Sequence, residues 1–206
     1  MKANRPQLTK GKKMKNRGLR NLTLTLLVFA SALALSAPAS AKELKGVTMP
    51  DQLDVAGRTL KLNGMGLRLA LFIKLKVYVG GLYLEKPSKN ADAILASSQI
   101  KHVEMQFLRD VSAEKMVQAW NDSLETNCKS DCESLRPQLF KLTGAMFDVK
   151  EGDTMSFTFL PDAVVLSIKG QKKARLEGAA LSKVLLMTWL GPNPPNDEIK
   201  EGMLGN

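Results

Sequence analysis

Cysteine and histidine are scarce in this chain. Its 206 residues include two cysteines, in the stretch NCKSDC, and one histidine, His102. A structural zinc site needs four Cys or His ligands as a rule, so these residues do not supply one. Cys132 is followed by Glu133, whereas a haem attachment site has a histidine there. The sequence therefore predicts no metal and no cofactor.

A long uninterrupted apolar run is also missing. The longest candidate, LTLTLLVFASALAL, covers 22–35 and is shorter than the roughly 20 residues of a membrane-spanning helix. Eight basic residues and no acidic one precede it, and Ala39-Ser40-Ala41 follows as a small-residue cleavage site. This order is typical of a secretory signal, so we expect residues 1–41 to be removed and Lys42 to begin the mature chain. The competing interpretation is an uncleaved membrane anchor.

The basic character of the chain belongs mainly to this leader. The full chain has 30 basic and 20 acidic residues, and the eight leader charges leave 22 against 20, a net charge of +2 for residues 42–206. Composition therefore gives no support for binding nucleic acid or a membrane surface. The mature length suits one domain, 42–206, with a substantial core.

Export determines how the cysteine pair is interpreted. A periplasmic protein reaches an oxidising compartment, which predicts a disulfide between Cys128 and Cys132. Because the bridge closes a short loop, it would fix a local turn and add little to the stability of the whole fold. A redox or metal-binding pair is the alternative, and it lacks further ligands.

Hydrophobic periodicity predicts strands first and helices later. From Gly46 to Leu84 short β-rich runs are broken at turn-like dipeptides, and IKHVEMQFL reads as a further strand. A short helix is predicted in NADAILASS and a β-hairpin in KEGDTMSFTFLPDAVVLSIKGQ. An apolar helix follows in EGAALSKVLLMTWLG with Gly191 as its C-cap, and a last helix is predicted in PNPPNDEIKEGML.

A helical hairpin is predicted in the middle of the chain. Ser112 is placed as an N-cap, and Met116, Trp120 and Leu124 then recur every four residues. A second helix is expected to begin near Asp131. Strands, helices, strands and helices in this order indicate an α+β domain with helices layered on an antiparallel sheet.

Most chemically suggestive residues have an ordinary structural interpretation. Gly64-Met65-Gly66 lacks the rest of a phosphate-binding loop and is predicted to be a turn. His102 is expected to be exposed or hydrogen-bonded on a strand, and Trp120 and Trp189 to pack in the core. The carboxylates are scattered, and no pair is placed for acid–base catalysis.

Arg68 is the exception, because it lies in the apolar stretch LNGMGLRLALF. Burying its charge without a partner would cost several kcal/mol. Strand alternation puts Arg68 on one face with Ala70 and Phe72, beside an apolar floor. It is therefore either the anchor of a ligand in a cleft, or an edge arginine that reaches water or pairs with a nearby carboxylate.

Several motifs of the chain resemble those of a known family. LNGMGLR followed by FIKLKVYVGGLYLEK is similar to the segment of chalcone isomerases in which a Gly-x-Gly-x-Arg element precedes a strand ending in Gly-x-Tyr-Leu-Glu. FLRDVSAEKMVQAW and LLMTWLGPNPPNDEIKEGMLG resemble the exported bacterial branch of the superfamily. The resemblance implies an open-faced β-sandwich, in which a large antiparallel sheet carries helices on one face with a ligand cleft between them.

The family's functional positions match only in part. The resemblance places the family's arginine on Arg68 and the threonine of the C-terminal apolar helix on Thr188. A second threonine falls on Tyr78, the active-site tyrosine on Lys115 and the asparagine on Asp122. Since three of five positions differ, the polar network for flavanone formation is not reproduced.

Three classes of function remain open. The first is a periplasmic binding protein for a small amphipathic anion, a fatty acid or an aromatic acid, with Arg68, Tyr78, Lys115 and Thr188 as ligand-binding residues. The second is an isomerase or intramolecular lyase acting on a phenolic or enone substrate, with Arg68, Thr188 and Tyr78 as catalytic residues. A purely structural domain with a closed cleft is a third. No nucleic acid and no stable membrane insertion after cleavage are expected.

Overall fold

The computed structural model describes residues 40–70, 73–129 and 132–206. The predicted leader lies outside these residues except for Ser40 and Ala41, and so does Phe72. Within the described ranges no helix is long and apolar enough to cross a membrane.

The centre of the fold is an antiparallel sheet whose strands follow one another in chain order. The strands are β1 Ala41–Leu44, β2 Val47–Pro50, β3 Gln52–Val55, β4 Arg58–Ala70, β5 Leu75–Leu84, β6 Lys101–Phe107, β7 Thr154–Phe159, β8 Ala163–Ile168 and β9 Gln171–Glu177. In the described chain β3 to β9 form a seven-stranded sheet in the order β3-β4-β5-β6-β7-β8-β9, and β1 and β2 form a separate hairpin.

Two of the helices in the described residues have an end at the predicted cap residue. The helices are α1 Ala91–Ala96, α2 Ala113–Asn127, α3 Cys132–Gly144, α4 Ala179–Leu190 and α5 Asp197–Met203. The predicted N-cap Ser112 accepts a hydrogen bond from the backbone N–H of Lys115. At the end of α4 the predicted C-cap Gly191 donates its N–H to the carbonyl of Met187.

The two faces of the sheet bury different partners. One face packs against all of these helices in a single large core that includes Leu82, Phe157 and Trp189. The other face of β4 and β5 is covered by the β1–β2 hairpin, where Met49 meets Leu62 and Tyr83. The predicted α+β class, with helices layered on an antiparallel sheet, is thereby confirmed.

The prediction of a turn at Gly64-Met65-Gly66 is wrong. Both glycines lie inside β4, and α5 crosses directly over them. A Cβ atom on Gly64 would lie 2.1 Å from the carbonyl oxygen of Gly202, and one on Gly66 would lie 2.3 Å from that of Ile199. The glycines are there because a helix backbone touches the strand, and not because the chain reverses.

One strand was missed by the sequence prediction, and the predicted start of the second helix of the hairpin agrees to within one residue. Strand β9 was not predicted, because its first three residues are polar and exposed and only Ala174 and Leu176 face the core. The helix α3 begins at Cys132, and Asp131 lies outside the described residues. Cys128, the C-cap of α2, is joined to Cys132 by a disulfide.

Candidate ligand-binding site

A cavity of about 790 Å³ lies between the helix-covered face of the sheet, helix α2 and the segment that follows α4. Its apolar wall comes from neighbouring strands and from α2. The residues of this wall include Leu75, Val77, Met105, Phe107, Met116 and Met155. A cleft of this volume falls within the roughly 300–1,000 Å³ of typical small-molecule sites.

Arg68 borders this cavity from β4. The β4–β5 register sets it directly opposite Tyr78, so both side chains project from the same face of the sheet. Arg68 is half-buried, and among the residues that the structure describes it makes no ion pair and no side-chain hydrogen bond. Its guanidinium therefore keeps its donors available beside an apolar wall.

Tyr78 is held in place by a tryptophan. Its side chain is buried, and its hydroxyl oxygen accepts a hydrogen bond of 3.0 Å from Nε1 of Trp189. Burial raises the pKa of Tyr78, against smaller opposing effects of the Trp189 hydrogen bond and the Arg68 charge. Because indole N–H is only a donor, the tyrosine oxygen is the acceptor and its own proton remains free to be donated. Tyr78 is thus a neutral donor next to a cation.

Thr188 borders the same cavity from α4, together with a neighbour that the sequence analysis missed. Its hydroxyl lies 2.8 Å from the hydroxyl of Ser123 on α2, and the side-chain amide of Asn127 donates to the Ser123 carbonyl at 2.9 Å. Ser123 and Asn127 each follow a residue of the apolar stripe by three positions, which puts them at its edge. That spacing was the signal available in the sequence.

The mouth of the cavity carries further charges. Lys115 and Asp122 are exposed on α2 and border the cavity, and neither forms an ion pair within the described part of the chain. Arg109, which the sequence analysis did not select, borders it as well. The cavity therefore brings together all four predicted ligand-binding positions, whose roles in binding stay predictions.

Other residues singled out in the sequence have structural roles. His102 is buried on β6 and hydrogen-bonds Thr158 and Glu104 through its two ring nitrogens, as expected for a hydrogen-bonded strand histidine. Trp120 and Trp189 pack edge to face in the core with ring centroids 5.8 Å apart, and both rings also border the cavity. The two tryptophans therefore combine packing with a position at the site.

Fold and site together define an α+β protein with a cation-bearing, apolar cleft between an antiparallel sheet and its helices. The chain belongs to the chalcone isomerase-like family, whose model matches residues 41–205. No curated protein is similar enough in sequence to count as a relative. Among solved structures, the chain is similar to the fatty-acid binding protein AtFAP1 of Arabidopsis thaliana. The TM-score is 0.65 at 16% sequence identity, over 80% of this chain and 96% of the other. At this identity the likeness shows the shared fold.

Proposed function

We propose that this chain is an exported binding protein for a small amphipathic anion, either a fatty acid or an aromatic acid, and that it lacks chalcone isomerase activity. Arg68 anchors the anionic group, Tyr78 donates a second hydrogen bond to it, and the apolar wall takes the remainder of the ligand. Lys115 and Thr188 contribute at the mouth and on the opposite wall.

The observation that carries this proposal is the Arg68–Tyr78 pair. A guanidinium without an ion pair among the described residues faces a neutral phenol across one strand pairing, at the wall of an apolar cavity. Charge-assisted hydrogen bonds in such surroundings are strong and directional. A carboxylate fits this pair, since it accepts from both donors and its charge is balanced by Arg68.

The size of the cavity and the fold agree with this function. The wall is mostly aliphatic, aromatic and methionine side chains, which adapt to a flexible tail. AtFAP1, which shares the fold, is named as a fatty-acid binding protein. The disulfide between Cys128 and Cys132 fits an oxidising compartment, which supports the periplasmic location proposed for residues 42–206.

The alternative is an isomerase or intramolecular lyase, and Tyr78 argues against it. A proton-abstracting base must be deprotonated at the working pH, whereas burial raises the pKa of Tyr78 and keeps it protonated. The positions of Tyr78, Lys115 and Asp122 also differ from the residues that the resemblance leads one to expect. Binding of an anion requires only hydrogen-bond donors, which Arg68 and Tyr78 supply.

The test compares a fatty acid with its methyl ester. The chain has two tryptophans, Trp120 and Trp189, and both border the cavity, so tryptophan fluorescence reports binding directly. We expect myristic acid to bind more tightly than methyl myristate. Arg68→Met, which keeps the apolar stem and removes the charge, should weaken acid binding by roughly tenfold to a hundredfold and leave ester binding unchanged.

A matched control is available on α3. Arg136→Met removes an exposed arginine that pairs with Glu133, and this residue does not border the cavity. It should leave both affinities unchanged. Equal binding of acid and ester by the wild type, or unchanged acid binding in Arg68→Met, would rule out the anchor. Catalytic turnover of a chalcone that Arg68→Met abolishes would favour the isomerase instead. Native mass spectrometry of protein from the periplasm would identify the bound acid.

A further inference from the structure

Asn196 uses its side chain in an unexpected way. It is the N-cap residue of α5, a position where asparagine ordinarily accepts a hydrogen bond from its own helix, yet it makes no such capping bond. The side chain instead reaches β4, more than a hundred residues earlier in the sequence. Its Oδ1 accepts the backbone N–H of Leu69 at 3.0 Å, and its Nδ2 donates to the carbonyl of Leu67 at 2.9 Å.

These two bonds flank Arg68. In an extended strand the carbonyl of one residue and the N–H of the residue two further on point to the same side, while the groups of the residue between them point to the other. β5 pairs with β4 on one side, and β3 covers the other side only as far as Lys61. The amide of Asn196 therefore takes the place of a neighbouring strand along the uncovered edge at Arg68.

The backbone at this point is irregular. The register between β4 and β5 shifts between Arg68 and Leu69, because Val77 of β5 has no partner on β4, and this marks a bulge in β5 directly opposite Arg68 and Leu69. Bulges redirect the side chain beside them, and an unpaired edge leaves that direction free to vary. The bidentate contact from Asn196 fixes the backbone on both sides of the residue whose side chain borders the cavity.

We propose that Asn196 is a positioning residue for ligand recognition, which holds the β4 backbone opposite the bulge in β5 so that the Arg68 guanidinium points at the anionic group. This inference rests on the proposed function of Arg68. It explains the use of an amide, because an amide carries an acceptor oxygen for Leu69 and a separate donor nitrogen for Leu67 in one plane. The second Nδ2 hydrogen is used by Glu198 at 3.0 Å, so the amide is fully engaged.

The test measures the ratio of acid to ester affinity in Asn196→Ala, again with myristic acid, methyl myristate and tryptophan fluorescence. Both ligands share the tail, so a general loosening of the fold changes their affinities together and leaves the ratio unchanged. Misdirection of Arg68 affects the acid alone. We expect the ratio to fall by roughly tenfold, since an oriented charge-assisted bond is lost.

Asn63→Ala is the matched control. Asn63 also lies on β4 and tethers the far end of α5 through a bond from its Nδ2 to the carbonyl of Met203, without touching the backbone at Arg68. Asn63→Ala should lower the Tm, because the tether to α5 is lost, and it should leave the ratio of acid to ester affinity unchanged. Should Asn196→Ala fail to fold, Asn196→Asp carries the test, because it keeps the size and the acceptor for Leu69 but cannot donate to Leu67.

The outcomes separate the two proposals. If the wild type binds acid and ester equally, the proposed function of Arg68 fails. If the wild type prefers the acid and the Asn196 variants keep that preference, the function stands and the positioning role is refuted. An equal fall of the ratio in Asn63→Ala would also refute it, because the effect would then belong to α5 in general.

Discussion

Gly66→Ala tests the close contact between β4 and α5. The added Cβ would lie 2.3 Å from the carbonyl oxygen and 2.7 Å from the Cα of Ile199, whereas ordinary contacts begin near 3.4 Å. Since both contact atoms are backbone, the helix must retreat by roughly 1 Å. Overpacking of this kind costs about 1–3 kcal/mol, which corresponds to a fall in Tm of roughly 2–12 °C for a chain of this length.

Gly144→Ala provides the comparison. Gly144 is the last residue of α3, its φ is not positive, and a Cβ there would meet nothing within 4 Å. Alanine is the better helix former by about 0.5–1 kcal/mol, so this variant should keep or raise the Tm. The same glycine-to-alanine change is therefore expected to lower the Tm at Gly66 and to keep or raise it at Gly144.

The assay is thermal unfolding of the mature chain followed by circular dichroism, with the acid-to-ester ratio measured on each variant. A retreat of α5 also moves Asn196, so Gly66→Ala should lower the ratio and Gly144→Ala should not. Equal Tm values for the two variants, or a Gly66→Ala protein more stable than the wild type, would show that α5 does not press on the strand as described.

Three further predictions concern titration, the disulfide and processing. Burial raises the pKa of both tyrosines, Tyr78 and Tyr83. The native protein should therefore show little tyrosinate absorbance at the ordinary value of 10.0. The protonated form of both side chains contributes fully to the free energy of unfolding below that pH. This contribution should decline as the pH rises above it, because the unfolded chain then loses these protons first. Replacing Cys128 and Cys132 by serine opens only a short loop, so unfolding should be easier by at most about 2 kcal/mol and the protein should remain folded. Intact-mass analysis of exported protein should find Lys42 as the first residue, and a retained leader would contradict the signal prediction.

The sequence predicted the fold best where periodicity was strong and local. The stripe of Met116, Trp120 and Leu124 and the cap at Ser112 were read correctly, because both signals lie within one helix. Gly64 and Gly66 were misread because their reason lies in α5, far along the chain. A glycine that makes room for another backbone looks the same in sequence as one that makes a turn.

The site was predicted in part for a related reason. Arg68 stood out because a permanent charge in an apolar strand needs an explanation, and Tyr78 and Thr188 came from the family resemblance. Ser123 and Asn196 were missed, since serine and asparagine are common at helix edges and caps. Only the three-dimensional contacts distinguish the asparagine that bonds β4 from one that caps its own helix.

The dependence of β4 on α5 also sets an order of events during synthesis. Consecutive strands of the sheet are neighbours, so each can add to the one before it as the chain emerges. The edge at Arg68 cannot close in this way, because Asn196 appears only after all of the strands. Under the proposed function, a partly made or truncated chain would have its sheet but an unsupported Arg68, and a fusion placed immediately after α5 would strain the helix whose N-cap asparagine holds β4.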